Sequence, residues 1–252
     1  FCPKFLSLPD VIKILPDVPK ILNFEVNVKE FPIATAVIEL GKELGKTQNQ
    51  ALSAYREAQN YFDEYHNFLR EGAPVNHALR LVERNRPFTL PKRKYKGDIK
   101  FLLLGHAYNI FDTFINLDFQ KKLRDQGVEV ITIENLPESL FKEPVIISKR
   151  LRNYWRHEEE IMQSIRYFLT KGRGEIDGVI FLISFACGPD SLISELIMRD
   201  MKVVELPFLE IIMDEHSGEA GLLTRVESFV EMVRRKKKKL ALDSKKKETI
   251  KI

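Results

Sequence analysis

The chain has 252 residues, 44% hydrophobic and 30% charged, with two cysteines and a formal net charge of +4. Such a length and apolar content bury a substantial core in one large or two modest domains, which excludes wholesale disorder. No apolar run approaches the roughly 20 residues of a membrane helix, and Phe1-Cys2-Pro3-Lys4 lacks a secretory pattern, so a cytoplasmic protein without membrane partners is expected.

That start also lacks an initiator methionine and reads as the interior of a longer sequence, so the chain is expected to be a C-terminal fragment. Cys2 and Cys187 are the two cysteines, too few and too far apart for a disulfide framework, which points to a reducing compartment. The charge is uneven. Residues 234–252 carry ten Lys and Arg against Asp243 and Glu248, a net +8, leaving the preceding 233 residues at −4. A terminal basic block of this kind reads as a solvated tail running into disorder, and nucleic acid is not an expected partner.

In chain order, the four prolines of residues 1–20 predict a loop with short turns, and Ile21 to Val26 a short strand. Helices are predicted from Ala34 to Leu44 and from Gln48 to Leu69. In the second, Ala51, Ala54, Tyr55, Ala58, Tyr61, Phe62 and Tyr65 recur at helical spacing and read as a packing stripe. The basic, proline-containing stretch Arg84 to Gly97 is the best boundary. It divides the chain into 1–96, the end of a preceding domain plus a helical segment; 97–233, an α/β domain; and 234–252, the basic tail.

Beyond the boundary the rhythm alternates. Strands are predicted at Ile99–Leu104, Val128–Ile133, Val179–Ser184 and Lys202–Leu206, with helices at Phe111–Gln126, Leu151–Thr170, Ser191–Arg199 and from about Glu219. Continuous apolar strands separated by helices predict a parallel sheet covered on both faces, a flavodoxin-like doubly wound α/β fold with an incomplete or helical N-terminal portion. Ligands of such sheets sit beyond the carboxyl ends of the strands.

Three motifs fall there. In Ser184-Phe185-Ala186-Cys187-Gly188-Pro189-Asp190-Ser191 an apolar strand ends, Cys187 occupies the turn, and Pro189 suits a helix start, whose dipole is expected to favour a thiolate. In Gly105-His106-Ala107-Tyr108-Asn109 a histidine able to move protons near neutral pH again follows a strand. In Asp214-Glu215-His216-Ser217-Gly218-Glu219 a helix-capping pattern is dense in acids yet matches no standard zinc or calcium spacing. Trp155, in Tyr154-Trp155-Arg156-His157, reads as a packing residue. No Walker loop, dinucleotide fingerprint or nucleophile elbow occurs, so ATP is not expected to bind to this chain.

Taken with Cys2-Pro3-Lys4-Phe5, these motifs resemble the acyl-CoA dehydratase activase-related proteins, relatives of the iron-sulfur subunits of 2-hydroxyacyl-CoA dehydratases and benzoyl-CoA reductases. The resemblance implies a [4Fe-4S] or double-cubane cluster held by thiolates, Cys2 and Cys187 among them, in a cleft between two domains. Two thiolates fall short of the three that such a cluster usually needs. The resemblance further implies electrons received from an ATP-hydrolysing activator and passed to a substrate, an acyl-CoA in the dehydratases.

The resulting expectation is an iron-sulfur electron-transfer component of anaerobic metabolism, dehydratase-like or reductase-like, inactive as an isolated piece and compatible with a homo- or hetero-oligomer. Catalytic candidates are His106, Glu215, His216 and Glu219; substrate-binding candidates are His106, Asn109, Ser191 and His216; metal ligands are Cys2 and Cys187. The Cys2 and Cys187 loops are expected to approach one end of the sheet. The alternative is a non-catalytic docking module for an activator or a dehydratase subunit.

Overall fold

The computed structural model describes residues 3–22, 24–27, 30–71, 73, 75–84, 97–141 and 155–249. They fall in two compact units, one within Phe1–Phe68 and Leu79–Arg86, the other within Leu69–Ala78 and Pro87–Ile252. Cys2, Tyr154 and nearly all of the expected boundary segment lie outside the described residues.

The first unit is helical: α1 (Pro3–Lys13), α2 (Ile33–Glu43) and most of α3 (Gln48–Arg70), which is followed by α4 (Val75–Arg84). A helix where proline-broken loop was expected follows from position, because Pro3 opens α1 and Pro9 costs a single backbone bond. The strand expected at Ile21–Val26 does not form; its described residues are irregular. Thr47 and Gln50 make a capping box at the start of α3, with Gln50 N–H donating to Thr47 Oγ1 at 3.3 Å and Thr47 N–H to Gln50 Oε1 at 2.9 Å. Only the beginning of the predicted packing stripe is buried: Ala51 packs on Gly41 of α2, where a Cβ would stand 2.6 Å from that of Ala51, whereas Phe62 is largely exposed.

The second unit carries the sheet. Its elements are β1 (Ile99–Gly105), α5 (Ala107–Phe111), α6 (Phe119–Asp125), β2 (Val128–Thr132), α7 (Arg156–Leu169), β3 (Gly178–Ser184), α8 (Gly188–Val203), β4 (Phe208–Met213) and α9 (Glu219–Thr249). The four strands are all parallel in the order β2-β1-β3-β4. This is an α/β fold of flavodoxin-like type.

Alternation along the strands builds two cores. Phe101, Leu103, Ile180, Leu182, Ile211 and Met213 face α6 and α9, meeting Phe119, Leu123, Val226, Phe229 and Val230. Leu102, Leu104, Val179, Phe181 and Ile183 face α7 and α8, meeting Ile161, Ile165, Ile193 and Ile197. Each fully buried Leu, Ile or Phe contributes roughly 1.5–3 kcal/mol, so the two faces hold the domain together.

Three expectations shift. The helix expected over Phe111–Gln126 is confined to α6: α5 ends at Phe111, and the chain turns before Phe119, with Leu117 and Asp118 both at positive φ (53° and 57°). The last strand lies at Phe208–Met213 rather than Lys202–Leu206, since α8 runs on to Val203 and the extended chain begins after Pro207. The basic block does not leave the body at Arg234. Arg234 Nε and Nη2 donate to Asp98 at 2.7 and 2.9 Å, Lys237 Nζ reaches Asp177 at 2.8 Å, and Lys236 reaches the Glu205 carbonyl. Side chains of α9 thus fasten across the amino edge of the sheet, and the helix continues to Thr249.

Candidate functional site

The strand order reverses between β1 and β3, the switch point at which helices leave to opposite faces and a crevice opens beyond the carboxyl ends. His106 caps α5 directly after β1, and Cys187 caps α8 after β3. Gly105 makes their approach feasible: its φ is 146°, and a Cβ there would stand 2.5 Å from the Leu182 carbonyl oxygen of β3. The loop leading to Cys187 passes through Ala186 at φ 63°, a conformation uncommon for a residue with a side chain.

Around this crevice lies a cluster of ionisable groups. One ligand atom each from His106, Cys187 and Asp190 lies within 4.8 Å of the others. His106 Nε2 is 3.5 Å from an Asp190 oxygen and 3.9 Å from Glu158. Asp190 is fully buried and the Glu158 side chain 3% exposed, whereas the His106 side chain keeps 26% of its surface open. The His106 ring stacks on His157 at 4.1 Å and on Tyr108 at 5.3 Å, which fixes its orientation.

These groups are poorly satisfied by the protein. Both carboxylate oxygens of Asp190, Glu158 Oε2 and His157 Nε2 are buried without a hydrogen-bond partner. Burial, reinforced by the Glu158 charge and opposed by His106, pushes Asp190 up to about 6. Burial raises Glu158 as well. Burial and the adjacent His106 push His157 down to about 4, which leaves it neutral at pH 7.

Cys187 departs from expectation. Burial and the facing Asp190 carboxylate push its thiol up to about 11, although the Asp190 backbone N–H favours the thiolate. The helix start thus does not make this cysteine a thiolate at neutral pH, and a metal ion would have to displace its proton.

The other candidates lie elsewhere or serve the fold. Asn109 is buried; its Oδ1 accepts from Ser184 Oγ at 3.0 Å and its Nδ2 donates to the Leu182 carbonyl at 3.5 Å, tying α5 to β3. Ser191 is exposed on the first turn of α8, with Oγ donating to the Cys187 carbonyl at 2.8 Å. His216 and Glu215 are 85% and 82% exposed, and Glu219 is held 2.8 Å from Lys122, which lowers its pKa. Asn109, Ser184, Asp214, Glu215 and Glu219 line a separate cleft of about 520 Å³. The structure therefore brings His106 to Cys187 and gathers Asn109 with Glu215 and Glu219.

Sequence reading missed His157, Glu158 and Asp190 as site residues. The signal was three acids following His157 at a helix start, ordinarily a solvated first turn, and an aspartate two residues beyond Gly188. Trp155, taken for packing, is 48% exposed at the N-cap of α7.

Among the described residues no helix is long and apolar enough to cross a membrane. Residues 1–136 match the family model described as the CoA enzyme activase uncharacterised domain. The match includes His106 and Asn109 and ends before His157, Glu158, Cys187 and Asp190. No curated protein matches the chain.

Proposed function

The chain belongs to the CoA enzyme activase uncharacterised domain family, and on that premise we propose that it is an iron-sulfur redox component of an acyl-CoA dehydratase-type system. The observation that carries this reading is the placement of Cys187: a half-buried thiol at a helix N-cap beside the switch point, the region where such sheets bind ligands. Cys187 suits one corner of a cluster; Cys2 is the second proposed ligand, and further thiolates would come from another segment or chain.

When bound, the cluster supplies low-potential one-electron transfer. The chain's own residues do the rest. Cys187 would give up its proton on binding iron, and Asp190, pushed up to about 6 by burial, is suited to receive it, with Glu158 raised in the same direction beside it. His106, stacked and partly exposed, stands between that buried pair and the crevice. The partners are an ATP-hydrolysing activator as electron source and an acyl-CoA thioester as acceptor, consistent with the family description.

The test is anaerobic reconstitution of the intact protein, with whatever segment or partner supplies the further thiolates, with iron and sulfide, followed by metal analysis and electron paramagnetic resonance of the reduced sample. Stoichiometric iron and sulfide, with a signal lost in Cys187→Ser and in Cys2→Ser, are expected. Absence of sulfide uptake, or an unchanged spectrum in both variants, refutes the cluster.

A further inference from the structure

We propose that His106 Nε2, Cys187 Sγ and an Asp190 carboxylate oxygen form a binding site for a single divalent transition ion, of the zinc or iron(II) class, with Glu158 as the adjacent fourth donor. The inference goes beyond the cluster reading and does not need a second cysteine.

Spacing carries it first. Zinc–sulfur bonds run near 2.3 Å and zinc–nitrogen or zinc–oxygen bonds near 2.0–2.2 Å, so donors sharing one tetrahedral ion lie roughly 3–4 Å apart. His106 and Asp190 stand at 3.5 Å, His106 and Glu158 at 3.9 Å, and all three primary donors lie within 4.8 Å of one another. Ligands on different irons of a cubane diverge from the cluster and stand farther apart than this.

Burial carries it second. Asp190 has no exposed surface and neither of its oxygens has a partner, while Glu158 Oε2 beside it is equally orphaned. Two buried carboxylates so sparsely satisfied at one point are costly for a fold unless something positive sits between them. A divalent ion supplies that charge; His106 alone supplies at most one.

The chemistry of the set selects the ion. One imidazole, one thiol and carboxylates form the mixed N, S and O environment that zinc and iron(II) accept, whereas calcium and magnesium require oxygen ligands throughout. The His106 ring is clamped between Tyr108 and His157, the kind of outer support that holds a ligating imidazole in place. Its partly open edge gives the ion a way in and leaves room for an exchangeable ligand. The thiol is shared, so the single ion and a cluster on Cys187 exclude one another.

The experiment is titration of the chelator-treated chain with Zn²⁺ by calorimetry, repeated with Co²⁺ to read sulfur ligation from its near-ultraviolet charge-transfer absorption. One ion per chain is expected. His106→Ala, Asp190→Asn and Cys187→Ser should each weaken Zn²⁺ binding at least tenfold, and Cys187→Ser should also abolish the cobalt–sulfur band. His216→Ala, whose ring is exposed outside this cluster, should bind like the parent, and far-ultraviolet dichroism should show each variant folded. No saturable zinc binding, or full affinity in folded His106→Ala and Asp190→Asn, overturns the site. A chain that binds one zinc but takes up no iron and sulfide refutes the cluster alone; one that builds a cluster yet binds no zinc refutes the single-ion site alone.

Discussion

Asp190→Asn should make the metal-free protein more stable at neutral pH. The wild-type carboxyl is buried with a pKa of about 6, against 3.8 for an ordinary aspartate, so its ionised form costs on the order of 3 kcal/mol in the folded state. The sign follows from the direction: a raised folded pKa means the stability is intact below about pH 4 and is lost as pH rises through 6. The uncharged amide removes that loss but remains a buried polar group with few partners, which returns about 1–2 kcal/mol. The net expected gain is roughly 1–2 kcal/mol at pH 7.5, shrinking toward zero at pH 4.5. Trp155, the single tryptophan, caps the helix that carries Glu158 and gives a local fluorescence probe for urea unfolding with a chelator present. A variant no more stable than wild type at pH 7.5, or one whose gain is the same at both pH values, would refute the idea that this carboxylate is held uncompensated.

Phe181→Ala, in the middle of the central strand β3 and fully buried, should cost about 3–5 kcal/mol in the same denaturation assay. Gly105→Ala should destabilise by more than the ordinary 1 kcal/mol of a strained glycine site, because its Cβ meets the Leu182 carbonyl, and should weaken zinc binding by moving His106 from Cys187. Arg234→Ala removes the cation that holds Asp98 below the usual aspartate range; the pair is surface-exposed, so the loss should be under about 1 kcal/mol, shrink in high salt, and vanish as pH falls through the depressed Asp98 value. Glu134→Gln relieves a carboxyl that burial raises, so its effect on stability should be more favourable at pH 8 than at pH 4, as followed by thermal unfolding.

The strands at 99–104 and 179–184 were legible because a parallel strand buried on both faces is written as a nearly unbroken apolar run, and the edge strand at 128–133, interrupted by Glu129 and Thr132, was legible from its β-branched Val128, Val130 and Ile131. The last strand was not: Val203, Val204 and Leu206 have strand-like side chains, yet Val203 completes α8, and the equally apolar 208–213 makes the ladder with β3. Local propensity cannot choose between two adjacent apolar runs when the choice depends on how long the preceding helix packs. The site was half legible. Cys187 and His106 announce themselves as reactive residues after strands. Asp190 and Glu158 look like acids placed to complement helix dipoles, and their burial arises only when two helix starts from distant parts of the chain converge at the switch point.

The covering of one sheet face by α9 has a consequence for biosynthesis. Leu222, Val226, Phe229, Val230 and Val233 close over Phe101, Leu103, Ile180 and Leu182, whose strands leave the ribosome long before them. Until α9 is translated, this face of the nascent domain stays bare, an apolar surface of the kind that holdase chaperones recognise. A chain truncated ahead of Leu222 would therefore yield a sheet that aggregates, whereas one extending past Leu240 would be able to close.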